Sequence, residues 1–288
     1  MQAKSPVIVT DSNASLPDAL VRDLPLLVVP MEIHYDGRVY HDGVDLLPAR
    51  FYELQSQPGP PPTTSSPEPR AFVDAYRRAS ARSSAVVCLT LSAELSATHE
   101  AARVAAKEVG EELGGTRIDV IDTRSAGTAQ GLVALEAARL AAAGGTPAQV
   151  LAAVERCMAD VTLYGYLESL YYVWRSGRVP RVAWWMGNLL GIKPLLQLRE
   201  GKIRMIERPR TEAKAMSRLV TLAVNRLAGR RARVAVMHAN APAKATVLAE
   251  RLAGELEIEE LFVTEFTPVI AAHTGPGLVG CALHPVDG

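Results

Sequence analysis

The sequence predicts an α/β protein of two domains, a parallel-sheet domain followed by a mixed-sheet domain, and three observations support this. Short Val- and Ile-rich runs alternate with helical stretches up to about residue 160, the rhythm of a parallel sheet with crossover helices. After Asp160 the β runs crowd together, with a hairpin signal at Glu200-Gly201 that points to a partly antiparallel sheet with helices on one side. A length of 288 residues suits two cores better than one. The expected division is 1–160 and 161–288.

Taken in order, PVIVT (6–10) is the first strand, Asp11, Ser12 and Asn13 the loop at its end, and Ser15 to Asp18 a helix start with Pro17 in the first turn. A second β run covers 26–35. Six of the 19 prolines fall in 55–69, which reads as a long loop ending at a helix whose N-cap is offered by Ser66-Pro67. AVVCLTL (85–91) and 118–121 are apolar runs of the kind buried on both faces of a parallel sheet. Helices are expected over 70–82, 96–113 and the alanine-rich 130–143. Thr146-Pro-Ala-Gln149 is a capping box with proline at N1, opening a helix to about Asp160. Beyond it, 162–166, 194–198, 202–207, 234–238, 258–266 and 278–283 are β candidates, and Thr211 and Asn240 are expected to cap two helices.

Composition narrows the function classes. Thirty-one basic and thirty-one acidic residues cancel, which removes the overall basic balance of most nucleic-acid binders, so no nucleic-acid partner is expected. Cys88, Cys157 and Cys281 sit in aliphatic contexts, odd in number and without CxxC, which argues against a disulfide framework or zinc site and for a reducing cytoplasm. The first dozen residues lack the long apolar region of a secretory leader, and no apolar run is long enough to span a bilayer.

Gly275-Pro-Gly277-Leu-Val-Gly280 spells the G-x-G-x-x-G of dinucleotide sites. Such a motif needs a following helix and a second strand with an acidic residue about 20 residues on. Only eight residues follow Gly280. The run reads instead as a glycine-bordered turn presenting His273 after the apolar stretch 267–272. Two further segments offer hydroxyls at a sheet edge, Thr64-Ser65-Ser66-Pro67 and Leu91 to Thr98. In open α/β sheets ligands settle beyond the carboxyl ends of the strands. His41, Asp42 and Asp45 lie in a turn, without a second cluster to make a metal site, and read as capping residues. No G-x-S-x-G elbow and no P-loop occur.

The ordered set VTDS (9–12), D-x-x-D (Asp42, Asp45), TS-x-P (64–67), L-S-x-x-L-S-x-T (91–98), IDT-x-S (121–125), S-G-R-V (176–179), G-x-K-P (191–194), R-T (Arg210, Thr211), H-A-N (238–240) and H-T-G-x-G (273–277) resembles the DegV family over nearly the whole chain. The resemblance implies a long-chain fatty acid held in a tunnel between two α/β domains, with no cofactor and no metal. It also implies the fatty-acid-binding subunit of a bacterial fatty acid kinase, a part of phospholipid metabolism. Such a subunit has no catalytic residue and presents the carboxylate to a separate ATP-dependent kinase that makes acyl phosphate.

Carried over, the resemblance places Thr64, Ser96 and His273 on the carboxylate, with Ser65, Thr98, Thr274 and Gly275 as neighbours, and Thr63 adjoins Thr64. Arg178 and Arg210 match basic positions suited to docking the kinase. Neutral donors can hold a carboxylate without trapping it, while at ~0.8 kcal/mol per methylene a tail of ~15 methylenes offers roughly 12 kcal/mol before ordering costs. Around Ser96 the chain departs from the family, with Ala93, Glu94, Ala97 and His99 in place of a serine, two glycines and a tyrosine; Glu94 stands where it could alter head-group access. Trp184 and Trp185, in an apolar stretch after Arg175, Arg178 and Arg181, read as core helix or as a tunnel lid touching the membrane surface. The alternatives from other classes are a lipid-related hydrolase or transferase and a lipid-sensing regulatory protein.

Overall fold

The computed structural model describes residues 5–179 and 191–286. Trp184, Trp185 and Arg181, and with them the expected lid and membrane contact, lie outside the described residues. The first half runs β1 (Val7–Asp11), a 3-10 turn at Ser12–Ala14, α1 (Asp18–Val21), β2 (Leu26–Val29), β3 (Glu32–Tyr35), β4 (Arg38–His41) and α2 (Pro48–Gln55). It continues with β5 (Thr63–Ser65), α3 (Pro69–Ser80), β6 (Ala85–Thr90), α4 (Thr98–Val109), β7 (Arg117–Asp122), α5 (Gly127–Ala142) and α6 (Pro147–Asp160). The second half holds β8 (Thr162–Tyr166), α7 (Tyr171–Ser176), β9 (Leu195–Arg199), β10 (Lys202–Glu207) and α8 (Glu212–Leu227). It closes with β11 (Ala232–His238), α9 (Pro242–Glu255), β12 (Ile258–Glu265), α10 (Pro268–Thr274) and β13 (Val279–Pro285).

The two α/β domains are built on different sheets. The first is wholly parallel in the order β2-β1-β6-β7. Every residue of β6 is buried, because Val86 and Cys88 face α3 and α4 while Val87 and Leu89 face α5. The second is mixed, β10-β9-β8-β13-β11-β12, with only β11 and β12 parallel. The Glu200-Gly201 hairpin joins β9 to β10 as expected, both residues having positive φ. The capping box at Thr146 and the Thr211 cap also form as read.

Several local expectations are corrected. The run 26–35 is two strands in different sheets, because Pro30 cannot donate to a ladder and the chain turns there. β3 pairs with β4 and with β5, a three-residue strand inside the proline-rich loop, giving a small third sheet. The helix after that loop starts at Pro69 with Glu68 rather than Ser66 at its N-cap. Ser96 does not open α4 either, since its N–H is spent in a turn on the Ser92 carbonyl and the helix begins at Thr98. Asn240 is no cap; its backbone is left-handed at φ 48°, and the Ala241 N–H donates to His238 Nδ1 instead.

The second sheet is covered on both faces. α8 and α9 pack on one, and α5 and α6, from the first half of the chain, pack on the other. α5 therefore lies between the two sheets, with 12 of its 16 residues buried. Its small side chains allow this: Ala134, Ala137 and Ala138 share one apolar cluster with Ile8, Val87 and Leu89 of the first sheet and Ala235 and Ala282 of the second. Arg139 adds a two-pronged bond to Glu260 at 2.7 and 2.6 Å, and Arg233 is held between Glu136 of α5 and Glu259. Among the described residues no helix is long and apolar enough to cross a membrane.

A shared core should unfold as one unit. In urea, tryptophan fluorescence, which reports only the second half because all three tryptophans lie there, should lose signal at the same midpoint as far-UV circular dichroism, which reports both halves. Separate midpoints would contradict the shared core.

Candidate functional site

A cavity of about 170 Å³ lies between the carboxyl edge of the first sheet and the face of the second. The first domain contributes Asn13 after β1, Leu91, Leu95 and Ser96 after β6, and Ala126 and Gly127 at the start of α5. The second contributes Leu163, Gly165 and Leu167 from β8 and its end, Leu196 and Leu198 from β9, and Ile203 from β10. α10 lays Val269, Ile270 and His273 along it. The walls are aliphatic, and the polar groups are few: Thr64, Ser65, Ser66, Ser96, Ser176, Arg178, His273 and Thr274 besides Asn13.

Thr64 and His273, 209 positions apart in sequence, meet with Oγ1 and Nε2 2.7 Å apart. Strand alternation selects Thr64 over Thr63, because in β5 Thr64 pairs with Ile33 on the inner face while Thr63 is exposed. Burial, with the charges of Arg178 and Arg175 adding to it, pushes the His273 pKa down to about 4, so the ring is neutral at pH 7. In the tautomer protonated at Nε2 the ring donates to Thr64, and the Thr64 hydroxyl proton is left for a third group. Ser96 is arranged alike. The Thr98 N–H donates to its Oγ at 3.3 Å and the Thr98 hydroxyl lies 2.9 Å away, so a donating Thr98 releases the Ser96 proton. Ser65, by contrast, is occupied, donating to Glu32 at 2.8 Å beside His34 at the same distance. Two available hydroxyl protons and a neutral imidazole in the wall of an aliphatic cavity make a site for an acceptor, such as a carboxylate, attached to an apolar body.

The loop after β1 holds the segments that carry these groups. Asp11 accepts from the N–H of Leu91 at 2.9 Å, fixing the loop that leads to Ser96, and from Asn13. Ser12 donates to Asp42 at 2.6 Å, and Asp42 accepts from the Val269 N–H at 3.1 Å in the first turn of α10. Asn13 accepts from the N–H of Gly127 at 2.8 Å, at the start of α5. Burial raises both Asp11 and Asp42 to about 6. Asp45 serves the same turn, bonding the backbone and ring of His41. Among the described residues no group of His, Cys, Asp and Glu could hold a metal ion.

Comparison with known proteins gives these residues their family. The model of the DegV family, described as uncharacterised proteins, matches residues 6–286. The chain belongs to the DegV family. A DegV domain-containing protein of Streptomyces coelicolor is 39% identical over 275 residues, covering 95% of this chain and 96% of that one. Among solved structures, a DegV family protein from Thermus thermophilus, described by its fatty acid binding, superimposes with a TM-score of 0.91 at 32% identity, over 98% of this chain and 100% of that one. DegV from Bacillus subtilis, described as a fatty acid binding protein, gives 0.89 at 28% identity over 99% and 100%.

In this DegV protein the late glycines serve the backbone. The run is helical from Pro268 onward, with Thr267 at its N-cap, and His273 occupies the last turn of α10, not a loop. Gly275 ends that helix at φ 71°, and a Cβ there would lie 2.1 Å from the Tyr172 ring. Gly277 takes φ 89° and donates to the Ala239 carbonyl, while a Cβ on Gly280 would meet the Tyr164 carbonyl at 2.3 Å. Gly275 and Thr98 thus support His273 and Ser96 from behind, while Ser65 and Thr274 line the cavity itself. Arg178 stands in the cavity wall; Arg210 lies outside it, next to the Thr211 cap. Glu94 is exposed and reaches the Gly201 hairpin tip, and His99 bonds Thr90. Sequence reading missed the apolar walls from β8 to β10, whose alternation at 163, 165 and 167 and at 196 and 198 was the available signal.

The carboxylate at position 42 gives a test with a definite sign. A raised pKa means that the folded state takes the proton more readily, so this stability is full below about pH 4 and is lost as pH rises through 6. Asp42→Asn keeps an acceptor for Val269 but cannot ionise. Relative to the parent it should gain about 2–3 kcal/mol in urea unfolding between pH 4 and 7, and parallel pH profiles would contradict the assignment. Gly275→Ala must both strain the backbone and displace Tyr172, for an expected loss of about 2–3 kcal/mol in the same assay.

Proposed function

We propose that this DegV protein binds a long-chain fatty acid in the cavity, holding the carboxylate at Thr64, Ser96 and His273, and presents it to a separate ATP-dependent kinase for conversion to acyl phosphate. The observation that carries the reading is the placement of two hydroxyls and a neutral imidazole at one aliphatic cavity, in a fold shared with DegV proteins described as binding fatty acids. Thr64, Ser96 and His273 are only partly buried while the aliphatic lining is mostly covered, so a head group would remain within reach of a partner's active site. Arg210, exposed and outside the cavity, is the candidate contact for that kinase.

The protein itself carries no catalysis in this reading. A base with a pKa near 4 is a weak one at neutral pH, and among the described residues no carboxylate hydrogen-bonds to His273 to orient and activate it. That weighs against a hydrolase built on Thr64 or Ser96.

Gly165 supports the tail's place. It lies mid-strand in β8 on the cavity face, without positive φ, and a Cβ there would make only ordinary contacts, 3.4 and 3.7 Å, with β13. The fold does not demand glycine at this position, whereas it does at Gly280 across the ladder. Room for an acyl chain accounts for it.

Gently denatured protein should release a long-chain fatty acid in mass spectrometry, and stripped protein should take up oleate or palmitate; neither happening would defeat the reading. Gly165→Val should fold as the parent does yet lose most of this uptake. His273→Ala should lower oleate affinity by about 10-fold, because without the ring's N–H the Thr64 hydroxyl is no longer turned to donate to the charged group. Acyl phosphate should form only when a cognate kinase and ATP are added, and ester turnover by the protein alone would favour the hydrolase.

A further inference from the structure

Several arginines of the second domain and its interface are paired with carboxylates, Arg139 with Glu260, Arg218 with Glu207, Arg226 with Asp160 and Arg233 with Glu136 and Glu259, but none of these lines the cavity, and Arg178 does. Arg175 lies over the rings of Tyr171 and Tyr172, at 5.5 and 5.4 Å. Arg178 has no carboxylate partner among the described residues. Its guanidinium donates to the Ser176 carbonyl at 2.6 Å, and its backbone N–H donates to the Ser176 hydroxyl at 3.3 Å. Ser176 ends α7, Gly177 turns the chain at φ 67°, and Ser176 and Arg178 both line the cavity. A carbonyl satisfies one N–H but does not balance the charge.

An uncompensated cation in the wall of an aliphatic cavity fits an anion at the head of the ligand. We propose that Arg178 is the charge-selecting residue of the site, favouring a carboxylate over a neutral alcohol, ester or amide on the same tail. The proposal rests on the reading that the cavity takes a fatty acid. It gives Arg178 a role in the ligand site, apart from any contact with a kinase. The same charge reaches His273 and opposes a proton on the ring, which keeps Thr64 and His273 in the neutral pairing that frees a hydroxyl proton. Because the side chain is exposed, water screens its attraction, so it selects an anion without locking it in place.

The test compares oleate with oleyl alcohol, which has the same tail and no charge, on full-length protein stripped of lipid. Arg178→Gln should lose about three- to ten-fold in oleate affinity, as an exposed charge pair would, and bind oleyl alcohol as the parent does. Arg178→Lys should keep most of the preference, and the difference between parent and Arg178→Gln should shrink at 1 M salt. Unchanged thermal unfolding of Arg178→Gln serves as the folding control. Unaltered oleate affinity in Arg178→Gln overturns the proposal and leaves Arg178 to a docking role. Equal losses for both ligands overturn it in favour of a role in cavity shape. If the parent takes up neither ligand, the fatty-acid reading itself fails and the proposal falls with it.

Discussion

Two carboxylates buried at the edge of the first sheet hold the candidate site in place. Asp11 and Asp42 are removed from water, which by itself favours their neutral forms. Their location is acceptable because each accepts donors from segments distant in sequence: Leu91 for Asp11, Ser12 and Val269 for Asp42. Ser96 hangs from the first segment and His273 from the last. Both segments are therefore tied to the end of β1, the first through Asp11 and the second through Asp42, which Ser12 holds there.

This division of labour accounts for motifs that carry no chemistry of their own. VTDS supplies Asp11 and Ser12, and the D-x-x-D turn supplies Asp42 and Asp45; all four serve hydrogen bonds inside the protein. The glycines after His273 likewise accommodate Tyr172, Glu168 and the Tyr164 carbonyl. What touches the cavity is chemically plain. The site is precise because its supports are buried and polar, while its lining is aliphatic and tolerant of a flexible chain.

Much of this was legible in the sequence, and the exceptions have physical reasons. β6 was readable because a strand covered on both faces has to be continuously apolar, and the Thr146 cap because its two reciprocal bonds depend only on residues three apart. α10 was not, since seven residues make barely two turns and its first turn is satisfied by Asp42, 227 positions away. β5 was hidden for a similar reason: three residues cannot show alternation, and its identity as a strand comes from its pairing with β3. The second covered face of the mixed sheet escaped notice because the helices that cover it precede the sheet in the chain. The proposed head-group residues come from their company in a known family, and the preference for Thr64 over Thr63 rests on the strand's facing.

The position of α5 has a kinetic consequence. A ligand lodged between two lobes is usually pictured as leaving when the lobes swing apart on a hinge. Here the lobes share one helix packed on both sides, with ion pairs along it, so swinging them apart would strip apolar surface from α5 and break Arg139 from Glu260. For the proposed fatty acid, entry and exit should then be governed by small displacements around α7 and the end of α10, which line the cavity, while the body of the protein stays closed. A cavity built this way could exchange such a ligand often without the protein once approaching its own unfolding.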